Sequence, residues 1–282
     1  NILQTGLLEM LADEYRLVLL VPDFKKDFFE REFRVENLIV EGVNTALGKS
    51  DLFFRKLALV LCPSETLLIK MRSEARTLSN PFAFPGYWIL SRLFGRRLPA
   101  LKLARSADYF FYRQSRFQEL FQKYSPALVF GTDIQNELDV RLLQDARRLG
   151  VKSLGMVRSW DNLTAKGALR VFPATLVVNN EIVKSEAVRF NGFSENRISV
   201  IGIAHYDRYF KAINSGDFLN SREQFFKRFG FDTSKKLILF APAGRRYIGE
   251  GGTDQYVLEI LSGGNIGIGT TSPGTLLSVA GD

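Results

Sequence analysis

The segment RSWDNLTAKG, residues 158–167, combines residue types that could act on a sugar or a phosphate. Asp161 could accept the proton of an attacking hydroxyl, and a general base needs only hydrogen-bond reach of that oxygen. Trp160 could stack on a sugar face, Lys166 could meet a phosphate by charge, and Gly167 could let the backbone approach it. Each has a structural alternative: an Asx turn or cap for Asp161, a core or interdomain contact for Trp160, and a solvated side chain for Lys166.

Two candidate acid–base residues lie outside that segment. Asp133 follows an apolar run and could serve as a general base, or could cap the helix predicted at IQNELDV. His205 is the single histidine, with an ordinary pKa in the neutral range, and its alternative role is a capping or interdomain contact. Ser159 has no histidine and aspartate partners nearby in sequence, so we predict no hydrolase triad.

The elements that must position these residues alternate between strands and helices. Apolar runs predict strands in ALVFGTD, VKSLGMV, TLVVNN and ISVIG. Helical spacing in IQNELDVRLLQDARRLG, closed by Gly150, and in residues 181–190 predicts the helices between them. This alternation predicts an α/β fold with a parallel sheet covered by helices on both faces. Right-handed crossovers place the tips GTD, RSWDN, NNE and GIAHYD on one edge, where open α/β sheets bind ligands.

The flanking regions are less regular. We predict a helix over 3–14, strands at 17–21 and near 37–40, and helices onward to residue 121. After residue 207 a polar helical connector leads to a strand, LILFAPAGRR, and a helix at about 254–261. The last twenty residues are rich in Gly, Thr and Ser, and predict an irregular tail that forms at most a short hairpin with Pro273-Gly274 as its turn. The predicted domains are therefore 1–207, 208–262 and 263–282.

The composition excludes several classes of protein. No apolar run approaches the roughly 20 residues that span a bilayer, and no secretory leader is visible, which fits a cytoplasmic protein. A single cysteine, Cys62, excludes an internal disulfide, and its apolar flanks predict a buried side chain. With one cysteine and one histidine we predict no metal site.

Part of the net charge of +8 is concentrated in residues 75–107. That segment has six basic residues and no acidic one, together with large apolar residues that include Trp88 and Phe94. It could be a core helix with a solvated arginine face, or a surface that contacts an anionic membrane at the inner face. No nucleic-acid-binding motif accompanies the charge, so we predict no nucleic-acid partner.

Several of these segments together resemble a known family. SWDNLTAKG, then VVNNE, a helix, ISVIGIAHYDRYF and KKLILFAP are similar to bacterial GT-B proteins of surface-polysaccharide synthesis. These proteins lie near the CDP-glycerol glycerophosphotransferases and the UDP-N-acetylglucosamine 2-epimerases, and the likeness covers roughly residues 1–260. It implies two facing Rossmann-like domains, an acceptor site mainly in the first, and a nucleotide-sugar site mainly in the second.

The resemblance implies roles for individual residues. The expected reaction transfers a UDP- or CDP-linked sugar or polyol phosphate to a surface-polysaccharide or lipid-linked acceptor, without cofactor or metal. Asp161, Asp133 and His205 are the catalytic candidates, and Arg245 and Arg246 would pair with the donor phosphates. The substrate-binding candidates are Ser159, Trp160, Asn162, Lys166, Gly167 and Gly202.

The sequence also departs from that family. It begins inside the expected first helix, and its second domain has room for one strand and one helix where several are expected. GNIGIGTTSPG is similar to repeats of phage tail-fibre proteins. We therefore expect the chain as given to lack turnover. The alternatives are a non-enzymatic truncated or chimeric polypeptide with a tail-fibre-like end, and a relative of the sugar-nucleotide 2-epimerases.

Overall fold

The computed structural model describes residues 2–77, 82–112, 115–215 and 222–237, and the backbone of three short strands after residue 258. The chain divides into two compact units, Asn1–Asn214 and Ser215–Asp282. The predicted strand at LILFAPAGRR, apart from the irregular Leu237, and the turn at Pro273-Gly274 lie outside the described residues.

The first unit opens with a small parallel sheet. Strands β1 and β2 pair with Leu17 opposite Leu38, and both were predicted from their apolar runs. The helix predicted over 3–14 is divided at Gly6, whose φ of 79° is a left-handed conformation that ends the preceding 3₁₀ turn. The elements are the 3₁₀ turn Ile2–Gln4, α1 Leu7–Glu14, β1 Leu17–Pro22, α2 Lys26–Glu32 and β2 Leu38–Val43.

A helical region follows, as predicted. It consists of α3 Lys49–Leu61, α4 Glu65–Thr77, α5 Ala83–Phe94, α6 Leu98–Phe111 and α7 Gln118–Tyr124. Helix α3 packs against α5 and α6. Between α3 and α6, Ala58, Leu61 and Leu101 form a small core that also buries Cys62 and Ala168. The burial of Cys62 agrees with the apolar residues on either side of it.

The main sheet has four parallel strands in the order β3-β4-β5-β6, which confirms the predicted α/β arrangement. The polar segments that follow the strands therefore lie along one edge of the sheet. Gly131 is opposite Gly155, Met156 is opposite Val177, and Val178 is opposite Val200. The elements are β3 Leu128–Gly131, α8 Glu137–Arg148, β4 Lys152–Met156, α9 Asn162–Ala165, β5 Thr175–Val178, α10 Glu181–Asn191 and β6 Ile198–Val200.

The core of this region packs helices against the sheet. Val140 and Leu143 of α8 and Val183 and Ala187 of α10 join the strand residues Val129, Leu176 and Val178 in one buried cluster. A Cβ at Gly131 would lie 3.0 Å from Leu143 Cδ1, so glycine there lets α8 approach β3 closely. Removing a buried leucine from such a core costs about 2–5 kcal/mol.

The ends of α8 follow local capping rules. Its N-cap is Asn136, whose side chain accepts a hydrogen bond from the Leu138 N–H, and Gly150 ends it with φ 71° as predicted. The suggested capping role for Asp133 is therefore wrong, because the helix begins three residues later than IQNELDV suggested.

A buried ion cluster joins three helices of the first unit. Arg141 of α8 is only 1% exposed and donates to Asp51 of α3 and to Asp108 of α6, each at 2.7 Å. Asp108 also accepts from Arg170 Nε at 2.8 Å. Each buried charge thus has an opposite charge within contact distance, which such burial requires.

After β6, helix α11 extends over Asp207–Ser215. The second unit contains α12 Arg222–Phe229, with Phe226 buried, and a three-stranded sheet. Strands β7 Glu259–Ile260 and β8 Ile266–Ile268 are antiparallel, while β8 and β9 Leu277–Val279 are parallel. The helix predicted at 254–261 is wrong at residues 259–260. The prediction of an irregular tail is also wrong at IGI and LSV, which form strands that pair in parallel rather than as a hairpin. Both runs alternate apolar and small residues, as strands do.

Candidate functional site

The candidate site lies at the carboxyl ends of the four parallel strands. Backbone hydrogen bonds continue past the strands and hold the tips together. Ile134 N–H donates to the Met156 carbonyl, Val157 N–H to that of Val177, and Ile201 N–H to that of Val178, each at 3.0 Å. The loops that carry the predicted site residues therefore start from fixed positions.

Asp133 is the centre of a polar network at this edge. Its Oδ1 accepts from Asn162 Nδ2 and from the Gln135 N–H, both at 3.3 Å. Its Oδ2 lies 3.4 Å from Arg158 Nε and 3.4 Å from Lys166 Nζ. Both oxygens are thus engaged in a largely buried position. The carboxylate is placed to hold two loops and two cations together rather than to accept a substrate proton.

Beneath this network lies Asp139, which sequence reasoning missed. Its Oδ2 accepts from the Asp133 N–H at 2.6 Å. Burial raises the pKa of Asp139 to about 6, and the negative charge of the nearby Asp133 carboxylate raises it as well. The hydrogen bond from the Asp133 N–H lowers the pKa but does not outweigh these effects. Because Asp139 lies inside α8, no strand-end signal in the sequence pointed to it.

Asp161 has a different environment. It occupies the N-cap position of α9, and its carbonyl accepts from the Ala165 N–H at 2.7 Å, but its side chain makes no capping hydrogen bond. Instead Ser159 Oγ donates to Asp161 Oδ1 at 2.6 Å. Within the described residues Asp161 Oδ2 accepts no hydrogen bond. The half-buried carboxylate is held in place by Ser159 and keeps one oxygen open to a substrate.

Trp160 is next to this carboxylate in the chain and is 70% exposed, so it is not part of a core in the first unit. The Arg158 and Lys166 side chains are also accessible, at 53% and 37% exposure. An exposed indole beside an available carboxylate and two cations suits a polar ligand that presents hydroxyl or phosphate groups.

Several buried polar atoms on this edge have no hydrogen-bond partner among the described residues: Asn162 Oδ1, Gln135 Oε1 and Asn179 Nδ2. Asn162 is fully buried, and its amide nitrogen is committed to Asp133, so rotating the amide would bring two oxygens together. Buried polar groups in folded proteins are nearly always paired. Three such atoms thus lie on three successive strand-end loops, enclosed by the protein rather than exposed at its surface.

The two predicted glycines differ. Gly167 has φ 95°, and a Cβ there would lie 2.9 Å from the backbone carbonyl of Ala58. The next N–H, from Ala168, donates to that carbonyl at 2.9 Å. Contact with α3 is thus sufficient to explain Gly167 without a phosphate. Gly202 also has positive φ, 77°, but faces open space.

The remaining predicted residues are described only in part. His205 lies in the 3₁₀ turn Ala204–Tyr206 that follows β6, so its backbone is at the predicted edge, but its side chain is outside the described residues. Arg245 and Arg246 are outside them as well. In the part of the chain that the structure describes, no group of His, Cys, Asp and Glu could hold a metal ion. Arg158 and Asn179 were not among the site residues predicted from the sequence. The signal that could have identified them is their position, since each directly follows the apolar run of a strand.

Comparison of the chain with protein-family models, with curated proteins and with solved structures finds no match. The functional argument therefore rests on the site itself: one available carboxylate, two cations and an exposed indole.

Proposed function

We propose that the strand-end edge of the first unit binds a carbohydrate acceptor, in a glycosyltransferase-type protein. The reaction would move a nucleotide-activated sugar or polyol phosphate onto a surface-polysaccharide or lipid-linked acceptor. The observation that carries this proposal is the Asp161 carboxylate, held by Ser159 at 2.6 Å with its second oxygen open, beside the exposed Trp160.

In the proposed chemistry an acceptor hydroxyl attacks the activated centre of the donor, the bond from that centre to the nucleotide phosphate breaks, and the nucleotide leaves. The attacking hydroxyl loses its proton in this step. Asp161 Oδ2 would accept that proton, and Ser159 would fix the orientation of the carboxylate. Trp160 would cover one face of the acceptor ring.

Arg158 and Lys166 would supply positive charge for a phosphate of the acceptor or donor. Their pairing with Asp133 positions them without burying them. Arg245 and Arg246, which belong to the second unit by sequence, remain the proposed partners of the donor phosphates.

A lipid-linked acceptor is supported by the surface of α5 and the start of α6. In and just before these helices, side chains that are 43–82% exposed include Phe82, Trp88, Ile89, Leu93, Phe94 and Leu98. Cations accompany them, and Arg92 stacks over the Trp88 ring at 5.0 Å. Apolar and cationic side chains on one short segment suit the surface of an anionic membrane. No helix among the described residues is long and apolar enough to cross a bilayer.

Acceptor binding can be tested by tryptophan fluorescence, because the chain has only two tryptophans. In Trp88→Phe the signal reports Trp160 alone, and titration with sn-glycerol 3-phosphate or methyl β-N-acetylglucosaminide should give a saturable change. Trp160→Phe, which retains Trp88, is the matched control and should show none. The proposal fails if neither probe changes Trp160 fluorescence at concentrations up to about 10 mM, beyond the usual range of substrate affinities.

A further inference from the structure

A groove of the first unit lies away from the strand-end site. Its volume is about 990 Å³, and α6, the last turns of α8 and residues 170–172 line it. Arg147 and Arg148 precede β4, and Phe172 precedes β5, so the groove lies toward the amino ends of the parallel strands. Asp161 follows β4 at the opposite ends.

The groove is strongly basic. Of the described residues that line it, none is acidic, and five carry positive charge: Lys102, Arg105, Arg147, Arg148 and Arg170. Two of these are held out of bulk water. Burial lowers the pKa of Arg105 to about 10, because its charged form loses hydration. Arg170 is only 8% exposed.

Arg170 also has an unused donor. Its Nε donates to Asp108 and its Nη1 to Glu137, which fixes the guanidinium plane. Its Nη2 is buried and has no hydrogen-bond partner among the described residues. The two ion pairs hold Arg170 rigidly in the wall of the groove.

Aromatic rings hold the other guanidinium groups in position. Arg105 lies 4.1 Å from the ring centre of Phe172 and donates to the Leu169 carbonyl at 3.3 Å. Arg147 and Arg148 lie 4.9 and 5.0 Å from the Tyr109 ring centre. Stacked guanidinium groups lose less side-chain freedom when they bind a ligand. Leu98, Phe110 and Val171 add apolar lining beside the cations.

We propose that this groove binds a diphosphate group attached to a larger, partly apolar moiety. Guanidinium forks match phosphate oxygens, and the four cations other than the carboxylate-paired Arg170 exceed what a single monoanion would require. The volume is that of a site for an organic ligand rather than for an isolated ion. The same chemistry is offered by a soluble nucleoside diphosphate and by a lipid that carries phosphate in its headgroup.

The test uses the full chain and has a soluble arm and a lipid arm. In the soluble arm, inorganic pyrophosphate and UDP are titrated by calorimetry. In the lipid arm, the protein is sedimented with phosphatidylcholine vesicles that contain phosphatidic acid. Lys102→Gln/Arg147→Gln removes two exposed charges from the groove and should raise the Kd by about tenfold or more in at least one arm. Arg105→Lys retains the charge without the planar fork and should weaken binding by a smaller factor.

The matched control removes two exposed charges elsewhere. Lys56→Gln/Arg72→Gln, on α3 and α4, should leave the Kd within about twofold. If Lys102→Gln/Arg147→Gln weakens binding only in the calorimetry, the ligand is a soluble diphosphate. If it weakens sedimentation with the vesicles, the ligand is a lipid headgroup. Equal losses in both double variants, or no binding of the wild type in either arm, would overturn the proposal. Thermal melts of the variants exclude unfolding as the cause.

Discussion

The side-chain amide of Asn162 donates to the Asp133 carboxylate at 3.3 Å, and so joins the loop after β3 to the loop after β4. Asp133 also faces Arg158 and Lys166, whereas among the described residues the Asp161 carboxylate accepts a hydrogen bond only from Ser159. The two aspartates that sequence reasoning treated alike thus have separate tasks. Asp133 organises the edge, whereas the Asp161 carboxylate keeps one oxygen available, which is why we propose Asp161 as the base.

This difference predicts opposite results for two matched variants. Asp133→Asn should destabilise the fold by about 1–3 kcal/mol, because it removes the charge that balances two cations at a largely buried position. Asp161→Asn should change stability by no more than about 0.5 kcal/mol and should leave acceptor binding at Trp160 intact. Urea unfolding and the fluorescence titration measure these effects. A larger stability loss in Asp161→Asn would reverse the assignment.

The buried ion cluster gives a second prediction. Asp108→Ala should cost about 3–5 kcal/mol, because it leaves Arg141 and Arg170 buried without a shared counter-charge. The control is Glu30→Ala, which breaks an exposed 3.7 Å ion pair with Lys26 in α2 and should cost at most about 0.5 kcal/mol. Chemical denaturation of both variants checks the difference. Similar losses would mean that Asp108 contributes no more than a surface charge.

Sequence reasoning predicted the parallel sheet because apolar runs and helical spacing are local signals that extend through β3 to β6. It placed Asp133 and Asp161 on one edge for the same reason. It could not predict that Asp51, Asp108 and Arg141 meet, because those contacts depend on how α3, α6 and α8 pack. It also missed β8 and β9, whose three-residue runs are too short to separate strand from irregular chain.

Two glycines with positive φ allow a controlled comparison. Gly167→Ala should destabilise by about 2 kcal/mol or more, because it combines backbone strain with a 2.9 Å contact to the Ala58 backbone. Gly202→Ala has a similar φ but open surroundings, so it should cost only about 1 kcal/mol. Thermal unfolding of both variants gives the two stability losses, and their difference measures the cost of the steric contact with Ala58. Equal losses would mean that contact with α3 does not require glycine.

Asp139 should make stability depend on pH. The pKa of Asp139 in the fold is about 6, above the ordinary value of 3.8. At a pH between these two values, the native state therefore holds a proton that the unfolded chain has released. The stabilising effect of that proton is complete below pH 4 and is lost as the pH rises through 6. The stability of the wild type relative to Asp139→Asn should therefore fall by roughly 1–3 kcal/mol over this range. Urea unfolding at several pH values gives the difference, and a flat difference would contradict the raised pKa.

The last prediction concerns the exposed surface of α5 and its junction with α6. If this surface contacts anionic lipid, the protein should sediment with phosphatidylglycerol vesicles, and binding should weaken as salt screens the charges. Arg92→Gln/Arg97→Gln should reduce vesicle binding by about threefold or more without unfolding, since each exposed cation near such a surface contributes about 1 kcal/mol. Arg96 is left unchanged because it packs over Phe190 at 4.3 Å.

Two further measurements distinguish this surface from a general effect of charge. Trp88→Ser/Leu93→Ser keeps every cation but removes apolar side chains that are 43% and 51% exposed, and it should weaken vesicle binding even at high salt. Lys56→Gln/Arg72→Gln loses as much charge as the arginine pair, from α3 and α4, and should bind as the wild type does. Because the apolar term does not depend on ionic strength, the serine variant should lose the salt-resistant part of the binding and the glutamine variant the salt-sensitive part. The opposite outcome is equal weakening in the two glutamine double variants and no change in the serine variant. Vesicle binding would then follow net charge alone, and α5 with its arginines would be an ordinary solvated face.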